Sequence, residues 1–152
     1  MILEYALTRT NAHSPQRANP SDAGLDVFYS PDQASQAIAI GPGDSKVIPT
    51  GLRFGVPHGY MLEVKNRSSV AAKRSLIVGA CVVDSGYDGE VFVNLHNVGS
   101  NTQYLRNGDK IAQLVMIPVV HFRTMQSTSE DLYRSPITIS DRGTGALGST
   151  DG

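Results

Sequence analysis

Short alternating runs, each cut off by glycine or proline, constrain this chain more than any other feature. Leu52, Phe54 and Val56 alternate with Arg53 and Gly55, and Val91, Val93 and Leu95 alternate with Phe92, Asn94 and His96. Ile2, Glu4 and Ala6 alternate with Leu3, Tyr5 and Leu7. Residues 111–120 are apolar almost throughout, with Gln113 as the interruption and Pro118 demoting the end of the run. A period of two sends successive side chains to opposite faces of a strand, so these runs read as β-structure. Gly41-Pro42-Gly43-Asp44 and Asn107-Gly108-Asp109 supply turns between runs. The one helical candidate is brief, around Ser69–Lys73. No internal repeat is visible. The pattern predicts an all-β chain of many short strands, a sandwich or a jelly roll.

With 152 residues and 40% apolar composition, the chain can bury the core of one domain. Lys and Arg total 13 against 14 Asp and Glu, so no basic surface for a nucleic-acid backbone is expected. Small anionic ligands need only a few local donors and stay open. The single cysteine, Cys81, forms no intrachain disulfide, which fits a reducing compartment. The first ten residues carry Glu4 and Arg9 inside an alternating run, unlike a signal peptide. No run approaches the ~18 apolar residues of a membrane span. The expectation is a soluble protein of cytoplasm or nucleus, or a virus-encoded one, without membrane or nucleic-acid partners. Residues 140–152 hold four glycines and one sizeable apolar side chain, too little surface to fold alone. The expected organisation is a β domain over 1–123, a linker over 124–139 and a flexible glycine-rich arm over 140–152.

Three segments could carry chemistry. In Asn66-Arg67-Ser68-Ser69-Val70, a serine pair at a helix start beside Arg67 makes a phosphate site, or else a plain helix cap. In Val82-Val83-Asp84-Ser85-Gly86-Tyr87-Asp88-Gly89-Glu90-Val91, two apolar stretches flank a polar one, as in a hairpin. Asp84 at its mouth could orient a water and Tyr87 near its tip could cover a sugar or base; ordinary turn chemistry is the alternative. The tail Gly143-Thr144-Gly145-Ala146-Leu147-Gly148-Ser149-Thr150 nearly spells a P-loop, but lacks the lysine and the strand–loop–helix context. With Arg142 it could still wrap phosphates; a disordered tail is the alternative. His13, His58, His96 and His121 show no metal-ligand spacing with one another or with Cys81.

Each signal is weak alone, but their order is not. Ala23-Gly24-Leu25-Asp26-Val27, Arg67-Ser68-Ser69-Val70-Ala71, Gly79 through Gly89, Gly108-Asp109-Lys110-Ile111-Ala112-Gln113-Leu114 and Arg142 through Thr150 follow one another as five short motifs. In that order and spacing the chain resembles the trimeric dUTPase family. The resemblance implies a jelly-roll subunit, a homotrimer with active sites at subunit interfaces, and Mg2+-dependent hydrolysis of dUTP to dUMP and pyrophosphate. It further implies that uracil enters the segment from Ala80 through Cys81 to Phe92 and is read by main-chain groups. Tyr87 would pack on the deoxyribose, and Asp84 would activate the attacking water. Asp26 would hold the Mg2+ shell through water. Ser68, Ser69 and Gln113 would contact phosphates, with Arg67 beside them. Arg142, Ser149 and Thr150 would belong to an arm closing over the triphosphate, and Leu147 would lie where an aromatic usually covers the base.

The sequence departs from the family pattern at four points. Cys81 replaces a common glycine, Gly86 a frequent acid, Asn66 a frequent proline, and Ala146-Leu147 a frequent Gly-Phe pair. The runner-up reading is a dCTP deaminase or bifunctional deaminase–dUTPase, which resembles this pattern but places a glutamate where Asn94 stands. A third reading is a dUTPase with an added regulatory, protein-binding role.

Overall fold

The computed structural model describes residues 1–133 and 143–148, so Arg142, Ser149 and Thr150 lie outside the described residues. The chain divides into a unit over 1–121 and a second over 122–152. The first unit is built of short strands: β1 (Tyr5–Leu7), β2 (Leu25–Phe28), β3 (Ile38–Ile40), β4 (Ser45–Pro49), β5 (Leu52–Phe54) and β6 (Tyr60–Lys65). After helix α1 (Ser68–Arg74) come β7 (Leu76–Val78), β8 (Val82–Val83), β9 (Phe92–Asn97), β10 (Gln103–Leu105) and β11 (Lys110–Pro118). The predicted jelly-roll-like all-β subunit is therefore what forms. Among the described residues no helix is long and apolar enough to cross a membrane.

Sheet order is β2-β11-β6-β8 and β4-β9-β7, with β1-β5 and β10-β3 as separate pairs, all antiparallel. Period two explains which side faces in. On β9, Val93, Leu95 and Asn97 are buried while Phe92, Asn94 and His96 face outward. Val27, Ile48, Leu52, Leu62, Leu76, Leu105, Ile111 and Leu114 complete the same core; full burial of each such aliphatic side chain contributes roughly 1.5–3 kcal/mol. Asn97 is the polar exception, and it is satisfied. Its amide donates to the Ile40 and Asn101 carbonyls at 2.8 Å each, and its Oδ1 accepts from the Gly99 N–H at 3.0 Å.

Two expectations change. The first alternating run forms a ladder only over Tyr5–Leu7, because its partner β5 is three residues long; Met1 and Ile2 stay exposed. The segment around Asp84 is not a hairpin with paired limbs. Val82–Val83 pair with β6, whereas Phe92–Asn97 pair with β4 and β7. Residues 84–91 are thus a connection between two sheets, and both limbs are held by strands outside it.

In the second unit, turns form over residues 129–133, 143–144 and 147–148. Asp131 and Leu132 N–H groups bond back to the Thr128 carbonyl. Gly143, Leu147 and Gly148 all have positive φ, and Leu147 is wholly exposed.

Candidate functional site

Asp26 on β2 lies directly opposite Gln113 on β11, and Gln113 lies opposite Lys65 on β6. Directly paired residues share a face, so these side chains form one row, and β6 then delivers Asn66 and Arg67 to the end of that row. Asp26 is buried at 8% exposure and pairs with two cations: Arg67 Nε at 2.9 Å on Oδ1 and Lys110 Nζ at 3.3 Å on Oδ2. Gln113 donates to the Asn66 carbonyl at 2.9 Å. Gln113 reaches this position only because residue 24 is glycine. A Cβ there would lie 2.6 Å from Gln113 Cδ. Asp22, Gly24, Asp26, Arg67, Ser68 and Gln113 line a cleft of about 260 Å³.

The serines are not used as helix caps. Arg67 is the N-cap residue and makes no side-chain capping bond, while Ser68 and Ser69 are exposed in a first turn without any acidic residue. Their hydroxyls and the first-turn N–H groups are thus available to an anion. Ser69 opens on an adjoining cleft with Lys73, Arg74, Asp109 and Lys110.

The second cleft, about 220 Å³, is lined by Val82, Val83, Asp84, Tyr87, Glu90, Val91 and Phe92. A turn closes at Asp84, whose carbonyl accepts from the Tyr87 N–H at 3.2 Å. Gly86 occupies the turn's third position with φ 84°, which explains why glycine stands where an acid is frequent in the family. Asp84 is exposed, and its carboxylate has no hydrogen bond or ion pair among the described residues. The Tyr87 ring folds across Gly89: a Cβ there would meet Tyr87 Oη at 2.6 Å and Cζ at 2.8 Å. The Tyr87 hydroxyl donates to the Glu90 carbonyl at 2.8 Å. Phe92 is half-exposed. Cys81 is not among the residues with positive φ, so the side chain is accommodated without backbone strain. Its carbonyl accepts from Val64 N–H at 2.7 Å, and the Ala80 N–H is taken by Asn94 Oδ1 at 3.2 Å.

Sequence reasoning missed two residues here. Asn66 accepts the Val78 N–H at 2.8 Å with its side chain, clamping β7 to the β6–α1 corner. Its departure from proline was the available signal. Glu90 had none. Burial opposes its charge, but hydrogen bonds from Arg9, Gly51 and Thr8 and the Arg9 charge together hold its carboxyl below the usual glutamate range. Leu147, in the second unit, is fully exposed, and Arg142, Ser149 and Thr150 lie outside the described residues.

The fold and its clefts define a class of jelly-roll subunit in which one recess carries Arg67, Ser68 and Gln113 and another is walled by Val82, Val83, Val91 and Phe92 beside Asp84. The dUTPase family model matches residues 10–150. The deoxyuridine 5'-triphosphate nucleotidohydrolase of Chlamydia muridarum is 37% identical over 138 residues, covering 90% of this chain and 89% of that protein. The dUTPase of Staphylococcus bacteriophage 80alpha, solved as a G164S mutant with dUpNHpp, shares the fold with TM-score 0.82 at 24% identity, covering 98% of each chain. A mutant dUTPase from phage phi11 of S. aureus, described as revealing coordination of a structural Mg(II) ion, matches with TM-score 0.74 at 26% identity over 84% of this chain and 97% of that one. This chain belongs to the dUTPase family and is an enzyme of that class, a deoxyuridine triphosphate nucleotidohydrolase. Asn94 stands at the position that is glutamate in the deaminases, and its amide oxygen is bonded to Ala80 N–H and faces His96 Nε2 at 3.0 Å. It has no carboxylate to offer a deaminase.

Proposed function

We propose that the protein hydrolyses dUTP at the α-phosphorus, removing dUTP and supplying dUMP for thymidylate synthesis, with each active site shared between subunits of a homotrimer. Asp84 takes a proton from the attacking water as its oxygen bonds to the α-phosphorus, and the bond to the bridging oxygen breaks to release pyrophosphate. A carboxylate with no partner is suited to this, because proton transfer needs a free lone pair at hydrogen-bond reach. The other acids at the two clefts are engaged: Asp26 by Arg67 and Lys110, Glu90 by Arg9, and Asp22 by the Asn19 N–H and side-chain amide.

The observation that carries the shared site is distance along β6. Asp84 follows Val83, which lies opposite Leu62. Arg67 comes five residues after Leu62 (67 − 62), about 16 Å further along at ~3.3 Å per residue, and β8 runs antiparallel, away from it. Among the described residues none lines both clefts. One triphosphate cannot meet the Ser68–Gln113 cleft while its α-phosphorus sits at Asp84 of the same chain, so a second copy completes the site. The base and sugar halves then come from Ala80, Cys81, Tyr87 and Phe92 of one subunit. Arg67, Ser68, Ser69 and Gln113 of another hold the phosphates. Arg142, Ser149 and Thr150 would add cover from the arm, with Leu147 near the base.

The residues fit Mg2+ in one manner. Among the described residues no cluster of three potential ligands exists, yet two carboxylates line the phosphate cleft: Asp22, whose Oδ2 accepts from Asn19, and Asp26. Mg2+ keeps several waters and binds through phosphate oxygens, so Asp26 would hold its shell through water. The phi11 relative's structural Mg(II) ion supports a divalent metal in this fold. When bound, the metal neutralises phosphate charge. Asp26, already flanked by Arg67 and Lys110, is oriented by them for that contact.

Mixing two inactive chains tests the shared site. Asp84→Asn and Gln113→Ala subunits, each inactive or nearly so alone, should regain dUTP turnover after co-refolding, at sites joining an intact Asp84 to an intact Gln113. Verified mixed oligomers that stay as inactive as their parents refute a site built across subunits.

A further inference from the structure

Tyr87 is held from behind by a network that its own motif does not contain. Both Glu90 oxygens are fully engaged. Oε1 accepts from Thr8 Oγ1 at 3.0 Å and Arg9 Nη1 at 2.9 Å; Oε2 accepts from the Gly51 N–H at 3.1 Å and Arg9 Nη2 at 3.4 Å. With four donors on one carboxylate, Glu90 has no lone pair to spare for chemistry. Arg9 is fixed in turn by the carbonyl of buried Ser30, to which its Nη2 donates; exposed Asp32 lies within ion-pair range of its Nε, 3.3 Å away, without a hydrogen bond. The next residue is stitched to the same turn: Val91 N–H donates to the Leu52 carbonyl at 2.8 Å, and the Val91 carbonyl accepts from Thr50 Oγ1 at 2.6 Å. The main chain at 90–91 therefore has little freedom. The Tyr87 hydroxyl rests on the Glu90 carbonyl at 2.8 Å, and its ring rests on Gly89.

We infer that Glu90 is a positioning residue for sugar selection: its carboxylate, saturated by Thr8, Arg9 and Gly51, fixes the main-chain carbonyl that anchors the Tyr87 phenol. The inference rests on the reading of Tyr87 as the wall against the deoxyribose. A 2′-hydroxyl adds one oxygen, so the wall discriminates only if it cannot yield. Charge-assisted bonds on a carboxylate are about twice as strong as neutral ones, which makes Glu90 a firmer anchor than a turn residue alone. Glu90 acts through Tyr87 and touches no reacting atom.

The test compares kcat/KM for UTP with that for dUTP in the full chain carrying Glu90→Ala, Glu90→Gln, Tyr87→Phe or Tyr87→Ala. A general loss of structure lowers both substrates together and leaves the ratio unchanged, so the ratio reports positioning. Glu90→Ala should raise the UTP:dUTP ratio by roughly tenfold or more, the low end of what one group in a pocket wall discriminates. Glu90→Gln keeps part of the acceptor set and should raise it less. Tyr87→Phe, lacking the anchored hydroxyl, should move it in the same direction, and Glu90→Ala added to Tyr87→Phe should add little. If Tyr87→Ala relaxes selection but Glu90→Ala and Glu90→Gln do not, the inference is wrong and the Tyr87 reading stands. If Tyr87→Ala leaves UTP excluded, both fall. Should Glu90→Ala fail to fold, an unchanged ratio in both Glu90→Gln and Tyr87→Phe overturns the inference.

Discussion

Gly24→Ala is a severe test of how the phosphate cleft is built, because the substitution adds a single methyl group. Gly24 is buried and its φ is one an alanine adopts, so the cost is room alone. The new Cβ would sit 2.6 Å from Gln113 Cδ and 2.9 Å from Gln113 Cβ, with Oε1 closer still. The end of the Gln113 side chain can rotate away, giving up its 2.9 Å bond to the Asn66 carbonyl. Its Cβ cannot rotate, since Gln113 is paired on both sides, with Asp26 and with Lys65. The lost hydrogen bond costs about 0.5–1.5 kcal/mol and the forced strand displacement about 1–3 kcal/mol, together about 1.5–4.5 kcal/mol. Chemical denaturation at fixed protein concentration reads the stability term, and Kd for a non-hydrolysable dUTP analogue reads the loss of Gln113 from the cleft. Gln113→Ala placed in the Gly24→Ala background removes Cδ and Oε1, so stability should partly recover while affinity does not. A Gly24→Ala protein within about 0.5 kcal/mol of the parent, binding the analogue as tightly, would refute the steric argument. So would a double variant no more stable than Gly24→Ala.

Two further outcomes follow from the same geometry. Asp84→Asn should reduce kcat with dUTP by roughly 10²–10⁴, the range for a general base, while Kd for the analogue stays close to the parent; near-normal turnover removes Asp84 from that role. The Glu90 carboxyl, held below the usual glutamate range against the opposing effect of burial, stabilises the fold at pH above that range and loses the contribution as pH falls through its lowered value; the stability gap between the parent and Glu90→Gln should therefore shrink on acidification, and a gap constant down to strongly acid pH contradicts the network.

Much of the strand set could be read from alternation because one face of each strand must be buried and the other not. Val93, Leu95 and their outward neighbours Phe92 and Asn94 show this directly. The helix at Ser68–Arg74 was legible to within a residue at each end, as was the end of β11 at Pro118. Period two says nothing about partners, however. Val82–Val83 and Phe92–Asn97 looked like two limbs of one hairpin, yet each found its ladder elsewhere. Pairing is a choice among distant strands, and apolar patterning is the same for every candidate.

The sequence by itself determined the family and the all-β class, since five ordered motifs and the alternation of the strands are legible without coordinates. Tertiary structure alone decided which of those groups are free. Asp26 and Asp84 are both aspartates in recognised motifs, but one is buried between Arg67 and Lys110 and the other stands exposed, with no partner among the described residues. Glu90 carries no motif signal of its own, and its importance arises from Thr8, Arg9 and Gly51, which approach it from 39 or more residues away along the chain. A carboxylate's role depends on the donors that reach it and the water that does not, and both are set by packing between segments remote in sequence.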